Sequence, residues 1–286
     1  MNIYPDCIPC SINNYLRLTK TGIIPDDLKE PVLRKLLKFF SEVDYDQSPP
    51  ALGQRMHRLL REFSKNPDPY REIKIKYNRM MMEKYDDFQK IVDDSSDPFN
   101  TAVRLAIAGN VIDFGSHHQL DVMDTINRVL QTELAVDDSD QLKRDIQSAA
   151  TVLYIGDNAG EIVLDRLLLE TMNHSNVYFA VRGAPVINDA TEEDASMAGL
   201  DRYAEIITTG DDAPGVLWET SSAKFKKIYD VADVIISKGQ GNLEGLIDIC
   251  RNTYFLLTVK CNLVSKHLGV NEKDFVILRR NCTDSE

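Results

Sequence analysis

After Ala149 the sequence changes rhythm, and the change narrows the fold to one class. Short apolar runs begin to alternate with helical patterns. The runs cover 151–155, 176–181, 205–208, 234–237, 254–258 and 275–278. A helix is expected over 161–172 and another over about 189–197. Further helices are expected between the third and fourth runs, the fourth and fifth, and the fifth and sixth. Strands that are apolar throughout, separated by helices, bury both faces of a sheet. The expected class is therefore α/β: a Rossmann-like, largely parallel sheet with helices on both faces.

Before that point the spacing is helical. Leu33, Leu36, Leu37 and Phe40 recur at i, i+3, i+4 and i+7, and Val103, Ala106, Ile107 and Val111 lie on one such stripe. Breaks fall at Ser48-Pro49-Pro50, at Asn66-Pro67-Asp68-Pro69 and at Ser95-Ser96-Asp97-Pro98. Few strand candidates occur here. The expected division is a helical N-terminal domain or cap over 1–148 and an α/β domain over 149–286.

Composition excludes several functions. No run of about 18 apolar residues is present, so a membrane span is not expected. Met1 to Cys10 lacks the basic-then-apolar order of a secretory signal. The net charge of −12 disfavours nucleic acid and anionic membrane as partners. It leaves room for an anionic substrate, because a bound cation reverses the local sign. Five cysteines, an odd number with no export signal, read as reduced thiols in a cytoplasmic protein. Oligomeric state is not legible.

Ligands of such a sheet bind outside the carboxyl ends of its strands. The first run is followed by Gly156-Asp157-Asn158-Ala159-Gly160-Glu161, and the second by Arg182-Gly183 and then Asn188-Asp189. The third is followed by Gly210-Asp211-Asp212, the fourth by Lys238-Gly239-Gln240-Gly241-Asn242, and the fifth by Lys260-Cys261-Asn262. Asp157 and Asp189 are hard anionic oxygen donors and Asn158 a neutral one, a set suited to Mg²⁺, Mn²⁺ or a related ion. Lys238 and Lys260 are candidates to neutralise phosphate oxygens, with Gly239 and Gly241 opening the backbone to the ligand.

Each residue alone has a plainer reading. Asp157, Asp189 and Asn262 are also what a helix N-cap needs, and Lys238 alone reads as a solvated lysine. Their joint arrival at successive strand ends shifts the balance. Gly239-Gln240-Gly241 is not a dinucleotide loop, since Glu244 stands where the third glycine would be, and no Walker A motif occurs.

Taken together these segments resemble the DUF89 family, the damage-control phosphatases or ARMT1-like metal-binding domain. Upstream, Asp97-Pro98-Phe99 and the 108–115 segment with Asn110 and Asp113 fit as well, as does Asp6-Cys7-Ile8-Pro9-Cys10. Length and the Cys-x-x-Cys point to its stand-alone prokaryotic, archaeal-type branch. The resemblance implies a helical part on a Rossmann-like core. It also implies a phosphatase dependent on Mn²⁺, Co²⁺, Ni²⁺ or Mg²⁺ that acts on small phosphometabolites such as sugar phosphates or phosphopantetheine-like compounds. It implies metal ligands at Asp157, Asn158 and Asp189. Substrate contacts are implied at Lys238, Gly239, Gln240, Gly241 and Asn242, with Asn110 and Asp113 facing the pocket. Lys260 keeps the lysine of the family's Arg-Thr-x-Lys motif, but Leu257 stands in place of the arginine. Catalytic roles are expected for Asp157, Glu161 and Lys260, with Glu161 or Asp157 as the base.

Two other functions share the same sheet: a non-catalytic metabolite or nucleotide binder, and an S-adenosylmethionine-dependent carboxyl methyltransferase. The Asp-Asn/Asp set favours the phosphatase over the first, and the poor glycine loop disfavours the second. No Asp-x-Asp nucleophile motif of the haloacid-dehalogenase kind follows a strand. Cys7 and Cys10 have the spacing of a soft-metal or redox pair, which Cys261 or Cys282 would complete in space. His117 and His118 read as surface residues.

Overall fold

The computed structural model describes residues 1–110 and 122–281. Asp113, His117, His118 and Cys282 lie outside the described residues.

The helical part opens with α1 (Cys7–Leu18), α2 (Asp26–Ser41) and α3 (Pro49–Ser64), which enclose their own core of Tyr15, Val32, Leu36, Leu52, Met56 and Leu60. It continues through α4 (Arg71–Met82), α5 (Tyr85–Asp93), α6 (Pro98–Gly109) and α7 (Val122–Gln131). Helix α6 starts where its sequence directs. Asp97 accepts from the Asn100 N–H as N-cap, and Pro98 takes the first position, where a missing N–H costs nothing. A short strand β1 (Val136–Asp137) and α8 (Ser139–Ser148) complete this half.

The second half runs β2 (Val152–Ile155), α9 (Ile162–Met172), β3 (Val177–Val181), α10 (Glu192–Ala198), β4 (Glu205–Thr208) and α11 (Ala223–Val231). It ends with β5 (Val234–Lys238), α12 (Gln240–Leu246), β6 (Thr253–Thr258), α13 (Asn262–Leu268) and β7 (Phe275–Arg280). The strands form one sheet of order β1-β7-β6-β5-β2-β3-β4 among the described residues. All pairings are parallel except β6 with β7.

Both faces are covered, as continuous apolar strands require. Alternate residues of β2 face opposite layers. Tyr154 packs with α6 and α9 residues, whereas Leu153 and Ile155 pack with Phe225, Leu243 and Val264 from α11, α12 and α13. Each fully buried aliphatic side chain contributes on the order of 1.5–3 kcal/mol. Helix α6, from the helical half, lies against α9 and reaches β6, so it belongs to one of the layers on the sheet. Strand β1 was not expected from the sequence. It extends the sheet from the same half by pairing with β7.

Strand order sets the site. The chain steps from β2 outward through β3 and β4, then returns to the other side of β2 for β5 and β6. The carboxyl end of β2 is thus the switch point, where the loop after β2 leads to α9 on one face and the loop after β5 to α12 on the other, leaving a crevice between them. No described helix is long and apolar enough to cross a membrane.

Candidate functional site

The loops after β2 and β3 are zipped together. Asn158 and Asp189 form an isolated antiparallel bridge. The Ala159 N–H donates to the Asn188 carbonyl at 2.8 Å, and the Ala190 N–H donates to the Asp157 carbonyl at 2.8 Å. Asp157, Asn158 and Asp189 therefore stand side by side above the switch point. Gly160 completes the turn in the left-handed region, and its N–H is taken at 2.6 Å by the buried Asn78 Oδ1 from α4.

Arg182, the first residue after β3, ties this cluster to α12. Its side chain is 1% exposed. Nε donates to Asp189 Oδ2 at 2.7 Å and Nη1 to Asn242 Oδ1 at 3.0 Å. Nη2 lies 3.6 Å from Asp157 Oδ1, a charge pair beyond hydrogen-bond reach, and has no hydrogen-bond partner among the described residues. Burial, then the nearby Glu161 and Asp189 charges, push the Asp157 carboxyl up to about 7. Burial raises Asp189 as well, more than Arg182 lowers it.

Behind these residues lies a buried polar network. Glu161 is fully buried. Its Oε2 accepts from Asn110 Nδ2 at 3.2 Å and Asn158 Nδ2 at 3.0 Å. The same two amides donate to Asp157 Oδ2, at 2.9 and 2.8 Å. Glu161 Oε1 accepts from Lys238 Nζ at 2.8 Å. Lys238 also donates to Asp165 Oδ1 and to the Ala106 carbonyl of α6, both at 2.7 Å. Tyr154 closes the network by donating to Asp165 Oδ1 at 2.7 Å. Burial alone would lower the Lys238 ammonium, but the Asp165 and Glu161 carboxylates raise it above an ordinary lysine. Burial pushes Asp165 up to about 6 despite Lys238.

The expected residues are thus sorted by position. Asp157, Asn158, Asp189, Glu161 and Asn110 converge. Lys238 does not stand where the sequence placed it. Its ammonium is fully buried and spent on three oxygens, so it braces the site from behind rather than meeting a phosphate. Gly239 abuts the cluster. A Cβ there would sit 2.0 Å from Asp157 Oδ2, and its φ is +80°, so only glycine fits. Gln240 braces the rim: its Oε1 accepts from the Lys260 N–H at 2.8 Å, and its Nε2 donates to Glu244 Oε1 at 2.8 Å. Asn242 donates to the Gly156 and Lys238 carbonyls at 3.2 and 2.7 Å. Gly241 packs against the Pro214 carbonyl, 2.3 Å from where a Cβ would be. Lys260 is exposed, and its charge acts on Asp157.

Cys7, Cys10 and Cys261 are free thiols, whereas Cys250 is disulfide-bonded, so the expectation of reduced thiols does not extend to it. Burial raises the Cys7 and Cys10 thiols, and Cys261 adds to both. Among the described residues no group of three or more His, Cys, Asp and Glu is arranged to hold a metal ion. The candidate set at the switch point is instead two carboxylates and an amide. Sequence reasoning missed Arg182, Asp165 and Asn78 as parts of the site. Arg182 carried a signal, its place directly after a strand. Asn78 carried none, because only packing brings α4 to Gly160.

Comparison with known proteins agrees with this architecture. A family model described as the damage-control phosphatase ARMT1-like domain matches residues 3–276. A damage-control phosphatase of Pyrococcus horikoshii is 33% identical over 285 residues, covering 98% of each chain. One from Archaeoglobus fulgidus is 34% identical over 286 residues, covering 96% of this chain and 98% of its own. The crystal structure of a DUF89 family protein from Pyrococcus horikoshii superposes with a TM-score of 0.91 at 32% identity, covering 98% of this chain and all of that one.

Proposed function

The chain belongs to the damage-control phosphatase ARMT1-like family, and from that premise we propose that it hydrolyses phosphate monoesters of small phosphorylated metabolites with a divalent cation at the carboxyl end of β2. The observation that carries this reading is the Asn158–Asp189 bridge. It sets Asp157, Asn158 and Asp189 together at the carboxyl end of β2, beside the crevice that opens toward β5.

The residues present fit a cation. Two buried carboxylates are raised by burial and crowding, which a cation between them would relieve. A third oxygen, Asn110 Oδ1, is buried beside them without a hydrogen-bond partner among the described residues. All are hard oxygens, the donors of Mg²⁺, Mn²⁺, Co²⁺ or Ni²⁺ in such sites. In our reading Asp157, Asn158 and Asp189 hold the cation, which supplies Lewis acidity toward a phosphate oxygen.

The chain's own residues supply the rest. Arg182 fixes Asp189 and Asn242 with two of its nitrogens and balances the charge of Asp157. Lys260, exposed at the rim, reaches for the phosphoryl oxygens and offsets charge that grows in the transition state. Gly239, Gln240 and Gly241 shape the wall beside the phosphate, and the buried Asn242 fixes it from behind through the Gly156 and Lys238 carbonyls. Asp157 orients the attacking water, since both oxygens of Glu161 are already spent. The cytoplasm is the compartment that goes with this reading.

The test is a screen of phosphometabolites with Mg²⁺, Mn²⁺, Co²⁺ and Ni²⁺ in turn, for the native protein and for Asp157→Ala. Metal-dependent phosphate release by the native protein and its loss in the variant are expected. Undiminished release by Asp157→Ala would overturn the assignment, and silence with every metal would favour a binding protein.

A further inference from the structure

We propose that the buried Lys238–Glu161 pair is an amide-orienting device, which turns the side chain of Asn158 so that its carbonyl oxygen, and not its NH₂, is offered to the cation. The proposal rests on the metal site put forward above.

An asparagine amide is nearly symmetric in shape, so its orientation is decided by its neighbours. Ionised, as they would be with a cation bound, both neighbours of the Asn158 Nδ2 are acceptors only: Asp157 Oδ2 at 2.8 Å and Glu161 Oε2 at 3.0 Å. A flipped amide would aim its oxygen at two carboxylate oxygens and lose both bonds. Glu161 is held in turn. Lys238 grips its other oxygen at 2.8 Å, and the lysine is itself fixed by Asp165 and the Ala106 carbonyl. Glu161 is 0% exposed, so no water is at hand to replace a lost donor.

Asn110 shows the same device acting a second time. Its Nδ2 is bound to the same two oxygens, at 2.9 and 3.2 Å. Its Oδ1 is left buried with no hydrogen-bond partner among the described residues. Leaving such an acceptor unpaired is destabilising. Rotation of the amide by half a turn would place its NH₂ there instead, and the carboxylates forbid this. Two neighbouring asparagines are thus locked with their nitrogens on the Asp157 and Glu161 carboxylates and their oxygens turned away from them. In this arrangement Glu161 and Lys238 are positioning residues that act through Asn158, neither a base nor a phosphate ligand.

The test replaces the acceptor without changing its shape. In Glu161→Gln the oxygen of the new amide stays on Lys238, and its NH₂ then faces the NH₂ groups of Asn158 and Asn110. Asn158 must then flip or lose one of its two partners, with only Asp157 Oδ2 left to hold its NH₂. Mn²⁺ affinity, read from the loss of the free-ion signal in electron paramagnetic resonance, is expected to fall about 10–100-fold, as for other residues that orient a ligand. Adding Asn158→Asp should restore most of that loss, because a carboxylate accepts from the new amide and offers an oxygen to the cation in either orientation.

A catalytic base at Glu161 predicts lower turnover with unchanged Mn²⁺ affinity, and that result overturns the proposal. So does a double variant no tighter than Glu161→Gln. If Glu161→Gln fails to fold, the double variant alone decides, and affinity within about tenfold of native is required of it. A native protein that binds no Mn²⁺ would overturn the metal site itself, and this inference with it. Native binding with unchanged Glu161→Gln binding overturns the inference alone.

Discussion

Replacing Lys238 by methionine isolates the energetics of the buried network. Methionine keeps the length and apolar stem but removes a charge that two fully buried carboxylates share. Removing one partner of a buried ion pair costs about 3–5 kcal/mol, because the other charge is left uncompensated. At about 2–4 °C per kcal/mol for a chain of this size class, the melting temperature should drop by about 6–20 °C. The loss should also depend on pH, with a definite sign. Asp165 has a folded pKa of about 6, above its ordinary value of 3.8. A carboxyl raised in the folded state gives stability that is present below its unfolded pKa and lost as pH rises through its folded pKa. Without Lys238 the Asp165 carboxyl rises further, so the variant should suffer most at pH 8 and recover part of its deficit at pH 5. Thermal melts of both proteins at the two pH values check this. A deficit under about 0.5 kcal/mol would place Lys238→Met among ordinary surface changes and refute the argument. So would a deficit equal at both pH values.

Two further outcomes follow from packing and charge. Gly239→Ala should lower both thermal stability, by about 1–3 kcal/mol, and Mn²⁺ affinity, since its methyl group would displace Asp157 Oδ2; a melt and a titration that both match the native protein would sink this. Asp212, which follows β4, is held at about 2: burial opposes this, but Arg58 and Arg61 of α3 overcome it. A carboxyl lowered in the folded state gives stability that is present above its unfolded pKa of 3.8 and lost as pH falls toward 2. Native stability should therefore fall between pH 4 and 2 partly through this group. Asp212→Asn should be weaker at pH 7 by about 1–3 kcal/mol and flatter in acid, as denaturant titrations at each pH would show.

Much of the α/β half is readable because its strands are apolar on both sides. The run 205–208 coincides with β4, and the other runs differ from their strands by a residue or two at an end. The antiparallel direction of β7 was not legible, since apolar content does not encode direction. Strand β1 was missed for a different reason. Two residues are too few for any period to show, and only pairing with β7 makes Val136–Asp137 a strand. In the site, acids and amides directly after strands were visible because topology delivers every strand end to one place. Lys238 was misplaced because residue type reveals charge, not which way a chain end turns. It is the last residue of β5, and its side chain runs inward toward α6 and α9.

That inward turn also explains why the helical half matters to chemistry. A lysine can be buried at the end of β5 only if carboxylates and a carbonyl meet it there, and the carbonyl is Ala106 of α6. The same helix ends at Asn110, whose amide helps hold Asp157 and Glu161. Helix α4 reaches the β2 turn through Asn78 on the Gly160 N–H, and α3 reaches the loop after β4 through Arg58 and Arg61. The change of rhythm at Ala149 marks where most strands begin, but the groups that orient the turn proposed to hold the cation come from both sides of it. A sheet alone would present Asp157 and Asn158 on a loop free to rotate. Helices packed on its face turn that loop into a site with one orientation of each amide, which binding a small cation with fixed geometry demands.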